Sequence, residues 1–290
     1  MKKPTDTPKK RGARLRGLRE QARQHKATFI VYVVLRLIVL AILALALVRR
    51  DYESAFICGL VLVLFLLPGF VSKNFGIQLP TVLEIVILLF IFAAEILGEL
   101  QNYYVQFAYW DTVLHTINGF LCAAFGFSLV DILCRNKQEK FRLSPMYMAL
   151  VAFCFSMTVG VLWEFFEYGM DTFFHLDMQK DTVIHSLRSV NLDPTGQGRV
   201  TTVENISSVV VNGQELGLGG YLDIGLHDTM GDLFVNFIGA VVFSVIGFFY
   251  IKHRGKGPAS QLAEQFIPRI QDPAPAGQPE NQPGELPPAE

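Results

Sequence analysis

Apolar and polar positions divide this chain into six apolar runs, at residues 28–48, 54–71, 81–97, 112–133, 145–168 and 233–251. Each is 17 to 24 residues long, which matches the ~20 residues a helix needs to cross a hydrocarbon core of ~30 Å. Backbone groups in lipid must be satisfied within the segment, so a lone apolar run crosses as a helix. The pattern predicts an all-α membrane protein, a polytopic bundle of six transmembrane helices over residues 28–251. A basic cytoplasmic tail, residues 1–27, precedes it. Residues 252–290, rich in Pro, Gln, Glu and Gly, read as a disordered cytoplasmic tail. A short helix at 259–266 is compatible with Pro268 after it.

Between the fifth and sixth runs lies a long loop, 169–230. Asp193-Pro194-Thr195-Gly196 marks a turn. The β-branched stretches 200–203 and 206–211, the second followed by Asn212-Gly213, predict a small β-hairpin or lid.

Charge sets the orientation. Apolar residues make up 51% of the chain and charged residues 18%, the latter crowded into the ends and loops. Ten Lys or Arg fall in residues 1–27. With the N-terminus inside, 19 of the 25 basic residues lie on the inner side, so the positive-inside rule predicts N-in and C-in. Arg49 and Arg50 run against this locally. The expected location is the plasma (inner) membrane, multi-pass, with the lipid bilayer as partner and no nucleic acid. The 1–27 segment is too basic for a cleavable signal, and the run after it carries no small-residue cleavage motif. Cys58, Cys122, Cys134 and Cys154 show no CxxC spacing and read as small apolar residues, not as a disulfide or zinc framework.

The orientation has a chemical consequence. The third helix leaves outward through Glu95 and Glu99, and the fourth enters through Asp111 and His115. The fifth leaves through Glu164 and Glu167, and the sixth enters through Asp228, Asp232 and Asn236. The i, i+3 and i, i+4 spacings put each set on one helix face. His115 lies ~6 Å in from Asp111, and Glu164 ~6 Å in from Tyr168. Charged groups at membrane depth are costly and point to function. Carboxylates gathered this closely need a cation or shared protons. Asp, Glu and His together suit a divalent cation or a general acid/base pair. Metal candidates are His115, Glu164, Glu167, Asp228 and Asp232. Catalytic candidates are His115, Glu164 and Asp232, supported by Asp111, Asn236, Glu95 and Glu99.

Structural roles compete with these. Asp111 and Asp228 fit helix caps or first-turn acids. Glu99 and Glu167 fit solvated positions at the interface. Tyr103, Tyr104, Tyr109, Trp110 and Tyr168 fit an aromatic belt. His175, His185 and His227 fit an exposed loop. Arg36, inside the first run, is expected to pair with Glu84.

Several of these residues carry a resemblance. Leu97-Gly98-Glu99, Trp110-Asp111-Thr112-Val113-Leu114-His115 with Asn118-Gly119, Trp163-Glu164-Phe165-Phe166-Glu167, Met178-Gln179, Asp228-Thr229-Met230-Gly231-Asp232 and Asn236-Phe237-Ile238-Gly239-Ala240 resemble uncharacterised bacterial inner-membrane proteins similar to YjdF. The likeness covers roughly residues 80–250. A looser pattern, Asp111/His115, Glu164, and Asp232/Asn236 with Gly239, is similar to VanZ-like proteins of the cell envelope. Neither resemblance implies a reaction. The leading functional expectation is an envelope enzyme or binding protein for a lipid-linked or cell-wall substrate, aided by a divalent cation. The alternatives are a cation-coupled transporter and a non-catalytic membrane scaffold displaying the 169–230 loop.

Overall fold

The computed structural model describes residues 8–135, 143–253 and 256–270. Six helical segments are long and apolar enough to cross a membrane: Lys26–Arg49, Tyr52–Asn74, Thr81–Leu100, Trp110–Leu133, Pro145–Phe174 and Leu226–Lys252. They form two bundles.

The first bundle holds α1 (Pro8–Arg49), α2 (Tyr52–Leu64), α3 (Leu67–Phe75) and α4 (Thr81–Ile91). The basic stretch expected as a tail is helical from Pro8 onward and continuous with the first span; residues 1–7 lie outside the described residues. Asp51 caps α2, accepting the Ser54 N–H at 3.1 Å. The second span is broken between Leu64 and Leu67, where Pro68 supplies no N–H to continue the ladder. Leu35, Val39, Cys58, Val61, Phe65, Leu88 and Ile96 make the core. Arg36 places its guanidinium 4.6 Å from the centroid of the Tyr32 ring. The expected Arg36–Glu84 pair is not among the ion pairs of the described residues.

Beyond Ile91 the third span loosens into a π-helix, Phe92–Leu100. The Gln101 N–H closes it by reaching back five residues to Ile96 O at 3.1 Å. Such segments often mark functional positions, and this one carries Glu95 and Glu99. A short helix, α5 (Tyr103–Gln106), follows.

The second bundle holds α6 (Trp110–Arg135), α7 (Pro145–Phe174) and α8 (Leu226–Lys252). Small residues let α6 and α8 cross with their backbones in contact. A methyl group on Gly119 would collide with Asn236 O, and one on Gly239 with Thr116 O. Close approach of this kind is a main source of helix association in lipid. Ser156 on α7 donates to Gly119 O at 2.7 Å. The core below is Ala123, Ala124, Phe127, Met148, Ala152, Ala240 and Phe243.

The chain after Lys252 is not a free tail as far as it is described. Residues 256–270 include α9 (Pro258–Ala263), which buries Ala263 and Ile267 against the same core. The Phe266 ring meets Phe120 edge-on at 4.9 Å. A two-residue strand, β8 (Arg269–Ile270), pairs antiparallel with β1 (Ile77–Gln78). Residues 271–290 lie outside the described residues.

Helix α7 runs to Phe174 and α8 starts at Leu226, so the loop is shorter than its polar sequence suggested. It contains three antiparallel two-stranded ribbons: β2 (Thr182–Ile184) with β7 (Tyr221–Asp223), β3 (Leu187–Ser189) with β4 (Thr201–Val203), and β5 (Val210–Val211) with β6 (Gln214–Glu215). Asn212 and Gly213 turn the last ribbon with φ of 52° and 82°, the left-handed pair that tight hairpins favour.

Candidate functional site

Three helices place a histidine among carboxylates near the loop end of the second bundle. His115 is buried on α6. Its Nε2 lies 3.4 Å from Asp111 Oδ1, one turn back on the same helix. The same nitrogen lies 3.8 Å from Asp232 Oδ2 on α8. Its Nδ1 faces the other way, 3.9 Å from Glu164 Oε1 on α7. Both ring nitrogens are therefore aimed at acids, and the two sides differ. Ligand atoms of Asp111, His115 and Asp232 all lie within 4.8 Å of one another. Small side-chain adjustments would bring them to the ~2.0–2.6 Å a shared divalent cation requires.

Glu164 is 4% exposed and Asp232 6%. Neither Glu164 oxygen, nor Asp232 Oδ2, has a hydrogen-bond partner among the described residues. The Thr229 hydroxyl stands near Glu164 without completing a bond of normal geometry. Buried carboxylate oxygens left unmatched are costly, and that cost falls when a cation or a bound proton arrives.

The floor of the site is Asn236. Its Oδ1 accepts from Asn118 Nδ2 at 3.4 Å, its Nδ2 points at Met157 Sδ at 3.7 Å, and Gly160 leaves room for its side chain. Glu167 is buried rather than solvated. Its Oε1 accepts the Trp163 indole N–H at 2.8 Å, so the indole holds a carboxylate. Asp228 is a first-turn acid of α8 and not its cap, which is Gly225, and its Oδ2 accepts the Lys180 N–H at 2.7 Å.

The π-helical segment brings Glu95, half-buried, and Glu99, exposed, to the rim. Tyr104 ties them to the rest. Its ring folds over Gly98, where a methyl group would strike it. Burial pushes its hydroxyl well above the ordinary range, and Asp111, Glu99, Glu95 and Glu167 push the same way. The phenol therefore stays a neutral donor among acids from both bundles. Away from the site, His185 Nδ1 lies 3.0 Å from Ile206 O, and His175 caps α7 in a left-handed conformation.

Residues 1–29 and 254–290 fall outside a family match that covers 30–253, to the model described as "Predicted membrane protein (DUF2238)". The chain belongs to this family. It is also similar to an uncharacterized protein of Thermotoga maritima, 27% identical over 81 residues. That likeness spans 28% of this chain and 40% of the relative. No solved structure matches the chain. The YjdF-like resemblance falls within DUF2238, and every residue of the site lies in the matched region.

In this DUF2238 chain the site has parts that sequence reasoning missed. A strap over residues 177–180 crosses from α7 to α8. Asp171 accepts the Met178 N–H at 2.6 Å and the Gln179 N–H at 2.8 Å. The Gln179 amide donates to the Thr229 hydroxyl, and Lys180 Nζ donates to Asp177 O. Gly225, at φ 83°, leaves the space that Gln179 Cβ fills, 2.7 Å from where its own methyl would stand. Met178-Gln179 and Thr229 stood within the motifs that carry the resemblance but had no assigned role, and Asp171 sits one turn from Glu167. Nothing local marked Lys180, and Tyr104 had read as part of an aromatic belt.

Proposed function

We propose that this membrane protein binds a divalent cation at Asp111, His115 and Asp232, and acts on a lipid-linked or cell-wall substrate at the extracytoplasmic face. The observation that carries the reading is the two-sidedness of His115. Nε2 faces Asp111 and Asp232, while Nδ1 faces Glu164. A histidine that gives one nitrogen to a metal usually donates its other N–H to a carboxylate, which sets the tautomer and the ring plane. Glu164 is placed for that role, so it orients the ligand instead of being one. The bound cation would supply Lewis acidity toward an oxygen of the substrate. Tyr104 offers a neutral O–H and Glu167 a carboxylate for orienting what binds beside it.

The N-in, C-in orientation follows from the basic residues and puts the site outside. A cation-coupled transporter would need polar groups continuing through the bundle. Below Asn236 the core of α6–α8 includes Ala123, Ala124, Phe127, Met148, Ala149, Ala152, Ala240 and Phe243, and the buried polar side chains there among the described residues are serines. That packing favours a site open to one face.

Metal analysis of detergent-purified protein tests the proposal. Wild type is expected to retain about one equivalent of divalent cation, as one three-residue ligand group implies. His115→Ala and Asp232→Asn lose it, and Glu99→Gln keeps it. Wild type with no retained cation, and no thermal shift on adding Mg²⁺, Mn²⁺, Ca²⁺ or Zn²⁺, overturns the reading.

A further inference from the structure

The strap over residues 177–180 is held more firmly than a surface loop needs. Both oxygens of Asp171 are committed to its backbone N–H groups, and Asp228 takes the next one. Gln179 adds a side-chain bond to Thr229. The consequence is the placement of one cation. Lys180 is half-buried, and its backbone N–H is fixed to Asp228 in the first turn of α8. Its ammonium donates to a neutral acceptor, Asp177 O. It makes no ion pair within 4.0 Å among the described residues. Its field still reaches Glu99 and Asp228. An ammonium has three donors, and one is used.

We propose that Lys180 and the cation held by Asp111, His115 and Asp232 together bind a phosphoryl group, one of whose oxygens faces the metal and another the ammonium. The inference rests on the metal reading above. The chemistry follows from the pieces. A hard divalent cation prefers oxygen anions. A tetrahedral oxyanion can present separate oxygens to two positive centres, and lysine is a frequent point-charge partner of phosphate. The acids around the site would repel a phosphate on their own, so the cation must be in place first. The order of binding is therefore cation, then anion. The phosphoryl group can arrive on a lipid headgroup or as free phosphate.

The test uses the full chain in detergent, loaded with Mn²⁺, and follows the ³¹P resonance of inorganic phosphate, which bound Mn²⁺ broadens on close approach. Wild type is expected to broaden the signal saturably. Lys180→Met is expected to weaken phosphate binding about tenfold or more, the size of one lost charge-assisted bond, with unchanged Mn²⁺ stoichiometry. Lys180→Arg keeps most of the binding. The strap is anchored through backbone N–H groups, so these substitutions leave it in place. A short-chain phosphatidic acid is then added as competitor. Displacement at concentrations well below those of phosphate assigns a lipid source, and displacement only at equal concentrations assigns free phosphate. Mn²⁺ binding without phosphate broadening, or with equal broadening in Lys180→Met, overturns this inference alone. Failure of wild type to bind Mn²⁺ overturns it together with the metal reading.

Discussion

His115 Nδ1 and Glu164 Oε1 face each other across α6 and α7 at 3.9 Å, and neither carboxylate oxygen has a hydrogen-bond partner among the described residues. One small ring rotation makes this a hydrogen bond, and the opposite nitrogen then points at Asp111 and Asp232. The relationship separates two roles that spacing alone had merged. Asp232 stands on the Nε2 side of the histidine and Glu164 on the Nδ1 side, which the proposed metal reading assigns to ligand and orienting partner.

Glu164→Gln tests that division. The amide keeps the shape and removes a buried charge, so the cation-free protein is expected to melt at the same temperature or higher. Cation affinity is expected to fall ~10–100-fold, as it does when an orienting partner is lost. Asp232→Asn removes a ligand and should abolish binding. Thermal shift against Mn²⁺ concentration reads both. Equal loss of affinity in the two variants would place Glu164 among the ligands instead.

The α6–α8 crossing should tolerate no added methyl. Gly239→Ala drives a methyl into Thr116 O, and overpacking of this kind costs ~1–3 kcal/mol. Gly231→Ala on the same helix meets nothing within 4 Å. It is expected to be neutral or to stabilise by up to ~1 kcal/mol, the difference in helix preference. Detergent melts of the two variants compare them directly. Because Asn236 O borders the same crossing, Gly239→Ala should also weaken cation binding.

The loop carries its own acid sensitivity. Asp193 accepts from the Thr195 hydroxyl at 2.7 Å and from the N–H groups of Thr195, Gln197 and Arg199. Led by the Thr195 hydroxyl, these bonds hold its carboxyl at about 2, below the ordinary 3.8. A depressed value stabilises the folded loop above the ordinary pKa. That contribution is lost as pH falls from 3.8 toward about 2. Hydrogen exchange at the Gln197 and Arg199 amides should lose protection over that window in wild type. In Asp193→Asn the protection is already reduced at neutral pH. Protection unchanged down to pH ~2 would remove the carboxylate from the account.

Hydropathy alone carries the six membrane helices, because a span is a local property: its residues must be apolar whatever they pack against. It does so less well at the ends. Helix α7 continues to Phe174 because the backbone ladder runs on past Tyr168 through Gly169 and Asp171, where the apolar run had ended. The same limit hid the folded segment after Lys252, where Ala263 and Ile267 are too few to mark a core by themselves.

The site divides in the same way. Acid and histidine residues recur one turn apart on four helices, so their gathering at one end followed from topology and helical spacing. Which of them meet did not, since that depends on how the helices rotate about their own axes. Gly119 and Gly239 fix the rotation by letting α6 and α8 touch, and this puts Asp232 of α8 beside Asp111 and His115, which helical spacing had already paired. The strap lay further out of reach, because its anchors are backbone N–H groups that every sequence possesses. Sequence determined that this chain is a membrane protein with six helices long and apolar enough to cross a bilayer, and with polar groups gathered near the ends of four of them. Only the tertiary structure decided their partners, because helix rotation and loop hydrogen bonds are set by packing between segments far apart in the chain.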